Sequence, residues 1–399
     1  MRLMKYLYAI LALVLFVLPA ATFAATTTKF EVTGWIPYWR TATGTIDTVA
    51  HLDSLTEVNP FVYTVKSDGT LVDNGKLDEE PWKSFIETAK AKHVRVVPTI
   101  MWSNRETIHA ILKSQKSRIA LEDRIAALVK EKGFDGIDID FENKKADTRP
   151  YFSTFLKGLY QRMGKKWVMC TIETRTPNED RYYDTTIPAD ASIYANDLKE
   201  INKYCDRVRL MAYDQQTIDL KLATEYASSS QLYAPVGDPA WITKVVNLMS
   251  KDIKKSKILI GVPTYGYEYS VTAYAGNQYI YDILWTFNPG YALPIAAQYG
   301  ITPARTQWGE MAFTYFPNTT STPPVSGAIE ALAASAAASS VATANNTNLT
   351  FRYMVWPDAQ SVQTKVDLAK RLGVRGISIF KLDGGQDPAI WTVLQGVKQ

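Results

Sequence analysis

Only three histidines, His51, His93 and His109, and two cysteines, Cys170 and Cys205, occur among 399 residues. They are scattered, and none falls at the spacing of a zinc site, so the sequence assigns no metal and no cofactor. There is no GxSxG turn to expose a nucleophilic serine. No glycine-rich loop is built to cradle a phosphate. Basic residues form no block and the formal net charge is only +4, which argues against a nucleic-acid partner. Long apolar runs are missing too, with one exception at the N-terminus.

That exception runs from Tyr6 to Leu18, behind Arg2 and Lys5. Pro19 and small residues follow, and Thr22-Phe23-Ala24 suits cleavage. The layout predicts a secretory signal peptide over residues 1–24 and a mature chain over 25–399; a retained anchor is the alternative. With cleavage, no membrane span remains, and the protein is secreted or held at the cell envelope. Export permits a disulfide. Cys170 and Cys205 both sit in or beside strand-like runs, and two buried thiols fit the sequence equally well.

With 46% hydrophobic residues the chain can bury a large core. Eight β-rich apolar runs recur at 29–39, 57–65, 94–102, 133–142, 166–174, 206–214, 257–267 and 376–382. Helical patterns lie between them, such as Trp82, Phe85, Ile86 and Ala89 on one face, and a run closing on Gly133. Strands alternating with helices in this number predict an α/β fold, a (β/α)8 TIM barrel. A small α+β insertion is expected between strands seven and eight, over about 268–356. Within it, residues 279–300 read as helical, 311–316 and 351–356 as strands, and the Ser/Thr/Ala/Asn-rich stretch 318–350 as a flexible loop.

The fourth run contains "FDGIDIDFEN". Strand side chains alternate, so Asp138, Asp140 and Glu142 share one face and Ile137, Ile139 and Phe141 the other. The apolar set must meet the helices, which sends three carboxylates into the barrel, with Glu142 at the C-terminal end where barrel active sites lie. Confined like charges force a carboxyl to hold or share a proton, and a carboxyl kept protonated can act as a general acid. A calcium loop would need turn residues where these bulky side chains alternate.

"DGIDIDFE" matches DxxDxDxE, and "MAYD", Met211 to Asp214, closes the sixth run. On these motifs the chain resembles glycoside hydrolase family 18, the chitinases and related N-acetylglucosaminidases. "NPFVYTV…DGTL" and "GGQDPAIW" make it similar to spore-germination and cell-wall-lytic relatives. The resemblance implies that Glu142 protonates the glycosidic oxygen. It also implies that Asp140 holds the substrate's N-acetyl group and that Asp138 shares a proton with Asp140. Asp135 and Gly136 would be structural. The nucleophile would be the substrate's own acetamido oxygen, which Tyr213 would bond; Asp214 would touch the sugar and Met211 would line the pocket floor.

Aromatic residues fall near the expected mouth: Trp35, Tyr38, Trp39, Tyr63, Trp102, Tyr265 and Tyr267. Of these, Trp35, Tyr63 and Tyr265 are the expected substrate-binding set. Phe380 stands where the family often has tryptophan; it can still stack on a sugar but lacks the indole N–H. The expected partner is a peptidoglycan or chitin chain containing N-acetylglucosamine, cleaved by a monomeric enzyme. The rival reading is an inactive, lectin-like sugar binder, but such relatives usually lose the acid that Glu142 supplies here.

Overall fold

The structure is a computed structural model that describes residues 29–229, 231–317, 340–341, 343–344 and 348–398. The expected export segment, residues 1–24, and most of the stretch 318–350 lie outside them. Seven barrel strands come first, β1 (Glu31–Pro37), β2 (Glu57–Val65), β3 (Thr99–Trp102), β4 (Gly136–Phe141), β5 (Trp167–Glu173), β6 (Arg207–Met211) and β7 (Ile258–Pro263), with short strands at Leu71–Asp73 and Arg95–Val96 beside β2. An antiparallel sheet follows, with β8 (Gly266–Tyr274), β9 (Gln278–Phe287), β10 (Met311–Tyr315) and β11 (Leu349–Trp356). The last strand is β12 (Gly376–Phe380). β1 to β7 and β12 are all parallel, and β1 pairs with both β2 and β12, so eight strands close into a barrel.

Local chemistry explains the elements. The helix Trp82–Ala91 buries Trp82, Phe85, Ile86 and Ala89. The helix Gln115–Glu131 stops just before Gly133, whose φ of 62° suits a residue without Cβ. Ile137, Ile139 and Phe141 are fully buried in the layer between barrel and helices. Phe141 lies 5.4 Å from Phe155 and 5.2 Å from Trp102. At the foot of β4, a Cβ on Gly136 would come 2.4 Å from the Trp167 carbonyl, so the strands could not approach. Asp135 accepts the Val96 N–H at 2.8 Å there, on the side away from the barrel mouth.

Two expectations change. The third run is broken into Arg95–Val96 and Thr99–Trp102, because Pro98 has no N–H to pair. Residues 279–300 are not one helix. Tyr, Ile, Trp and Thr residues build the strand β9, and Pro289 then opens a helix, Pro289–Gln298, at its first turn. β11 also starts at Leu349, inside the stretch expected as loop.

The inserted sheet runs β9-β8-β11-β10, with Ala304–Arg305 at the edge. One face packs under the helix Pro289–Gln298 through Phe287, Phe313, Met354 and Trp356. The other face, with Tyr267, Tyr269, Tyr353 and Val355, joins Tyr213 and Tyr265 of the barrel mouth in one cluster. Cys170 and Cys205 form a disulfide with Cα atoms 5.9 Å apart, which ties β5 to the start of β6. Among the described residues no helix is long and apolar enough to cross a membrane.

Candidate active site

Asp138 is fully buried and takes side-chain contacts from β1, β3, β5 and β6, which places it inside the barrel. Its Oδ2 accepts from the Trp35 indole at 3.2 Å and the Thr99 hydroxyl at 2.9 Å. Thr171 donates to Oδ1 at 2.9 Å, and Arg209 lies 2.8 Å from the same oxygen. The β3–β4 register sets Thr99 beside Asp138 and Met101 beside Asp140. Two residues further up, Asp140 is 3% exposed, and its Oδ1 is buried with no hydrogen-bond partner among the described residues. Burial, then the charges of Glu142, Asp138 and Glu173, push its pKa well above the usual carboxylate range; Lys144 opposes them.

Glu142 ends the series, half-buried at the mouth. Burial raises its pKa as well, helped by Glu173 and Asp214 and opposed by Lys144. Both shifts favour the protonated form, which a general acid needs. Lys144 is buried, lies 4.7 Å above the Phe152 ring and donates to the Phe141 carbonyl. Its ammonium stands 3.7 Å from Glu173. Glu173 accepts the Asn143 N–H at 2.8 Å and the Asn196 amide at 3.1 Å, and so fastens the turn that carries the acid to β5. Asn143 takes a φ of 53° in that turn.

Opposite the carboxylates, Tyr213 lies flat on Phe380, with ring centroids 5.5 Å apart and planes 15° apart. Gly261 makes room for it, since a Cβ there would meet the Tyr213 ring at 2.7 Å. Burial, and the charges of Asp140 and Asp214 after it, drive the Tyr213 hydroxyl far up, so it remains a hydrogen-bond donor. Asp214 accepts from the Tyr265 hydroxyl and, at 2.7 Å, from Tyr267. Asp214 is exposed as a residue, yet its neighbours desolvate its carboxyl enough to raise its pKa against those two hydrogen bonds. Met211 is half-buried against this group.

The family model described as "Glycosyl hydrolases family 18" matches residues 32–385. The chain belongs to that family. It is therefore a glycosidase, and its barrel is that family's fold. It is 21% identical over 364 residues to the uncharacterized glycosylase YvbX of Bacillus subtilis (strain 168), covering 87% of this chain and 88% of that one. The spore cortex-lytic enzyme SleL of Bacillus cereus is similar in fold, with a TM-score of 0.66 at 18% identity over 92% of this chain and 74% of its own. A chitinase from Chromobacterium violaceum ATCC 12472 gives a TM-score of 0.67 at 18% identity, over 93% and 99%.

Within this family 18 barrel, the structure gathers Asp138, Asp140, Glu142, Tyr213, Asp214, Tyr265, Met211 and Phe380 at one end. Two of the expected substrate-binding aromatics, Trp35 and Tyr63, lie elsewhere, and so does Trp102. Trp35 is 1% exposed; its indole bonds Thr99 and Asp138, so it supports a carboxylate and offers no face to a sugar. Tyr63 is buried in the outer core near Asp73 and Asp78, because the β2–β3 register slips between Phe61 and Tyr63. A slip of one residue turns a side chain to the other face. Phe61 holds the inward place instead, 6.0 Å from Phe380 and 5.8 Å from Trp39, which is half exposed at the rim beside Tyr38. Trp102 packs on Phe141 outside the barrel, its indole on Thr107. Sequence reasoning missed Arg209, Lys144 and the fastening part of Glu173; the signal for Arg209 was a charge at inward parity with Met211 and Tyr213.

Proposed function

We propose that this family 18 glycosidase is an exported enzyme that cleaves β-1,4 bonds after N-acetylglucosamine units, with net retention. The reading rests on one observation: a graded carboxylate series on β4. Asp138 accepts from several donors, Asp140 is buried with a raised pKa and an Oδ1 unpaired among the described residues, and Glu142 stands half-buried at the mouth. Binding a 2-acetamido sugar on the Phe380–Tyr213 floor would bring its carbonyl oxygen under the anomeric carbon, with the Tyr213 hydroxyl and Asp140 holding the acetamido group. That oxygen attacks the anomeric carbon as the glycosidic bond breaks, and Glu142 gives its proton to the departing oxygen. Water then opens the cyclic intermediate from the vacated side, and Glu142 takes the proton back. Two displacements at one carbon retain its configuration.

The chemistry fits chitin and peptidoglycan alike. Similarity to a spore cortex-lytic enzyme and to cell-wall-lytic relatives favours an envelope glycan. The test is to incubate the purified protein with chitin oligosaccharides and with peptidoglycan and to weigh the products. Fragments ending in reducing N-acetylglucosamine support the reading. Intact substrates, or ends carrying another sugar, would contradict it.

A further inference from the structure

The floor of the site has a continuation that the proposed mechanism does not use. From Phe380 the rings step outward to Phe61 at 6.0 Å and then to Trp39 at 5.8 Å. Trp39 is 50% exposed and belongs to a single turn, Tyr38–Arg40, that buries none of its residues. The turn follows β1, so it stands at the same end of the barrel as Phe380 on β12. β4, which leads to Glu142, lies three strands from β1 and four from β12, across the mouth. In the proposed reaction Glu142 protonates the leaving oxygen from that far side. A chain seated on the floor then runs its preceding sugars towards Trp39 and Arg40.

Two cations share one acid there. Arg40 Nε lies 3.6 Å from Asp383 Oδ2, with the arginine side chain 45% exposed and the carboxylate buried. The same oxygen is bonded by Lys381, the residue after Phe380, and by the Asn288 amide at 3.0 Å. Lys381 also donates to Asn288 Oδ1 at 2.9 Å, and the Gly385 N–H donates to Asp383 Oδ1 at 3.0 Å. Burial would raise the Asp383 pKa, but Lys381 and Asn288 bring it below its usual value, so the acid remains one negative charge. Against it stand an ammonium and a guanidinium. The ammonium is enclosed by its partners. The guanidinium stays beyond hydrogen-bond distance of Asp383, and its N–H groups make no hydrogen bond among the described residues.

A chitin chain carries no charge for such a group to meet. A peptidoglycan chain alternates N-acetylglucosamine with N-acetylmuramic acid, whose 3-O-lactyl group ends in a carboxyl. With N-acetylglucosamine on the Phe380 floor, the sugar before it is the muramic acid. We propose that Arg40 is a specificity-determining residue: its forked N–H groups bind the lactyl carboxylate of that muramic acid, while the Trp39 ring stacks on the chain. The proposal rests on the proposed cleavage after N-acetylglucosamine, and it selects a muramic-acid-containing glycan over chitin. Asp383 aims the guanidinium without using up its donors, because Lys381 and Asn288 bond that carboxylate first.

The test compares three oligosaccharides of equal length. One is chitin. The second is a peptide-free chain of alternating N-acetylglucosamine and N-acetylmuramic acid. The third is that chain with its lactyl carboxyls converted to neutral methyl amides. The parent should prefer the charged chain to its amidated twin by about tenfold in KM, as one charge-assisted hydrogen-bonded pair supplies. The same preference should appear as Kd in Glu142→Gln, measured by calorimetry without turnover. Arg40→Gln should abolish most of it. Arg40→Lys keeps the charge but not the fork and should fall between. Added salt should shrink the preference in the parent. Trp39→Ala should weaken binding of all three chains and leave the preference standing. A parent that treats the charged and amidated chains alike overturns the proposal. So does Arg40→Gln that keeps the preference while only its melting temperature falls, which would make Arg40 a structural partner of Asp383. If the parent cleaves no glycan, the proposed function fails, and the Kd values in Glu142→Gln still decide whether Arg40 reads the carboxylate.

Discussion

At the lower end of the barrel, Glu31 and Glu57 meet Arg95, Arg207, Arg209 and Arg375. At the upper end, Asp140 and Glu142 repel each other and Glu173, with Lys144 opposing them. Both ends bury acids, and the outcomes are opposite. Burial alone would raise Glu31, but the hydrogen bonds and charge of Arg207, with Arg95 and Arg375, bring its pKa below the usual value. Burial raises Asp140 and Glu142, and their neighbours raise them further. Buried acids that are paired hold the barrel together; buried acids left short of partners store a proton where chemistry can use it.

The largest expected effect tests the upper end. Glu142→Gln should lower kcat by about 10²–10⁴-fold with no loss of melting temperature, measured on whichever glycan the parent cleaves. Near-parent turnover would remove Glu142 from the role of acid. Next comes the lower end. Glu31→Ala strands Arg207 and Arg375, leaves Arg95 only Glu57, and should cost about 3 kcal/mol in denaturant unfolding, with the folded protein retaining its acid chemistry. Loss of activity without loss of stability would dissolve the contrast between the two ends.

The pH signs should also oppose. Glu31 is lowered on folding, so its contribution is present above the unfolded carboxylate pKa and is lost as pH falls through the folded value. Asp140 is raised, so folding favours its proton, and its contribution is lost as pH climbs from the unfolded value through the folded one. Asp140→Asn should therefore stabilise the protein at neutral pH, by about 1 kcal/mol, while lowering its rate. The gain should vanish in acid, where the parent's Asp140 is protonated in both states. Unfolding curves at two pH values read this out, and a gain that grows in acid would contradict it. The smallest effect belongs to Lys144→Met. Removing the cation that holds Asp140 and Glu142 down should let them keep their proton longer, so the alkaline limb of the pH–rate profile moves to higher pH. A limb that moves the other way would mean that Lys144 acts on another group.

The alternation of Ile137, Ile139 and Phe141 with Asp138, Asp140 and Glu142 was readable because period two is a property of any strand. The barrel followed from eight runs of the same kind. What period two could not show was a register slip, and Tyr63 was misplaced for that reason. Trp35 lay at the correct end of β1, but whether an indole faces a sugar or a carboxylate depends on Thr99 and Asp138, which come from other strands. In β9, Tyr279 to Phe287 alternate too weakly to reveal a strand whose edge faces solvent. Glu57 and Arg209 lie in apolar runs 152 residues apart, and only closure of the barrel makes them a pair.

The central claim is that the sugar's own acetamido group is the nucleophile on this carboxylate series. Matched oligosaccharides, with and without the N-acetyl group on the sugar before the scissile bond, test it most directly. The account predicts rapid cleavage of the acetylated chain and a rate near background for its deacetylated twin. Equal rates on the two would contradict it.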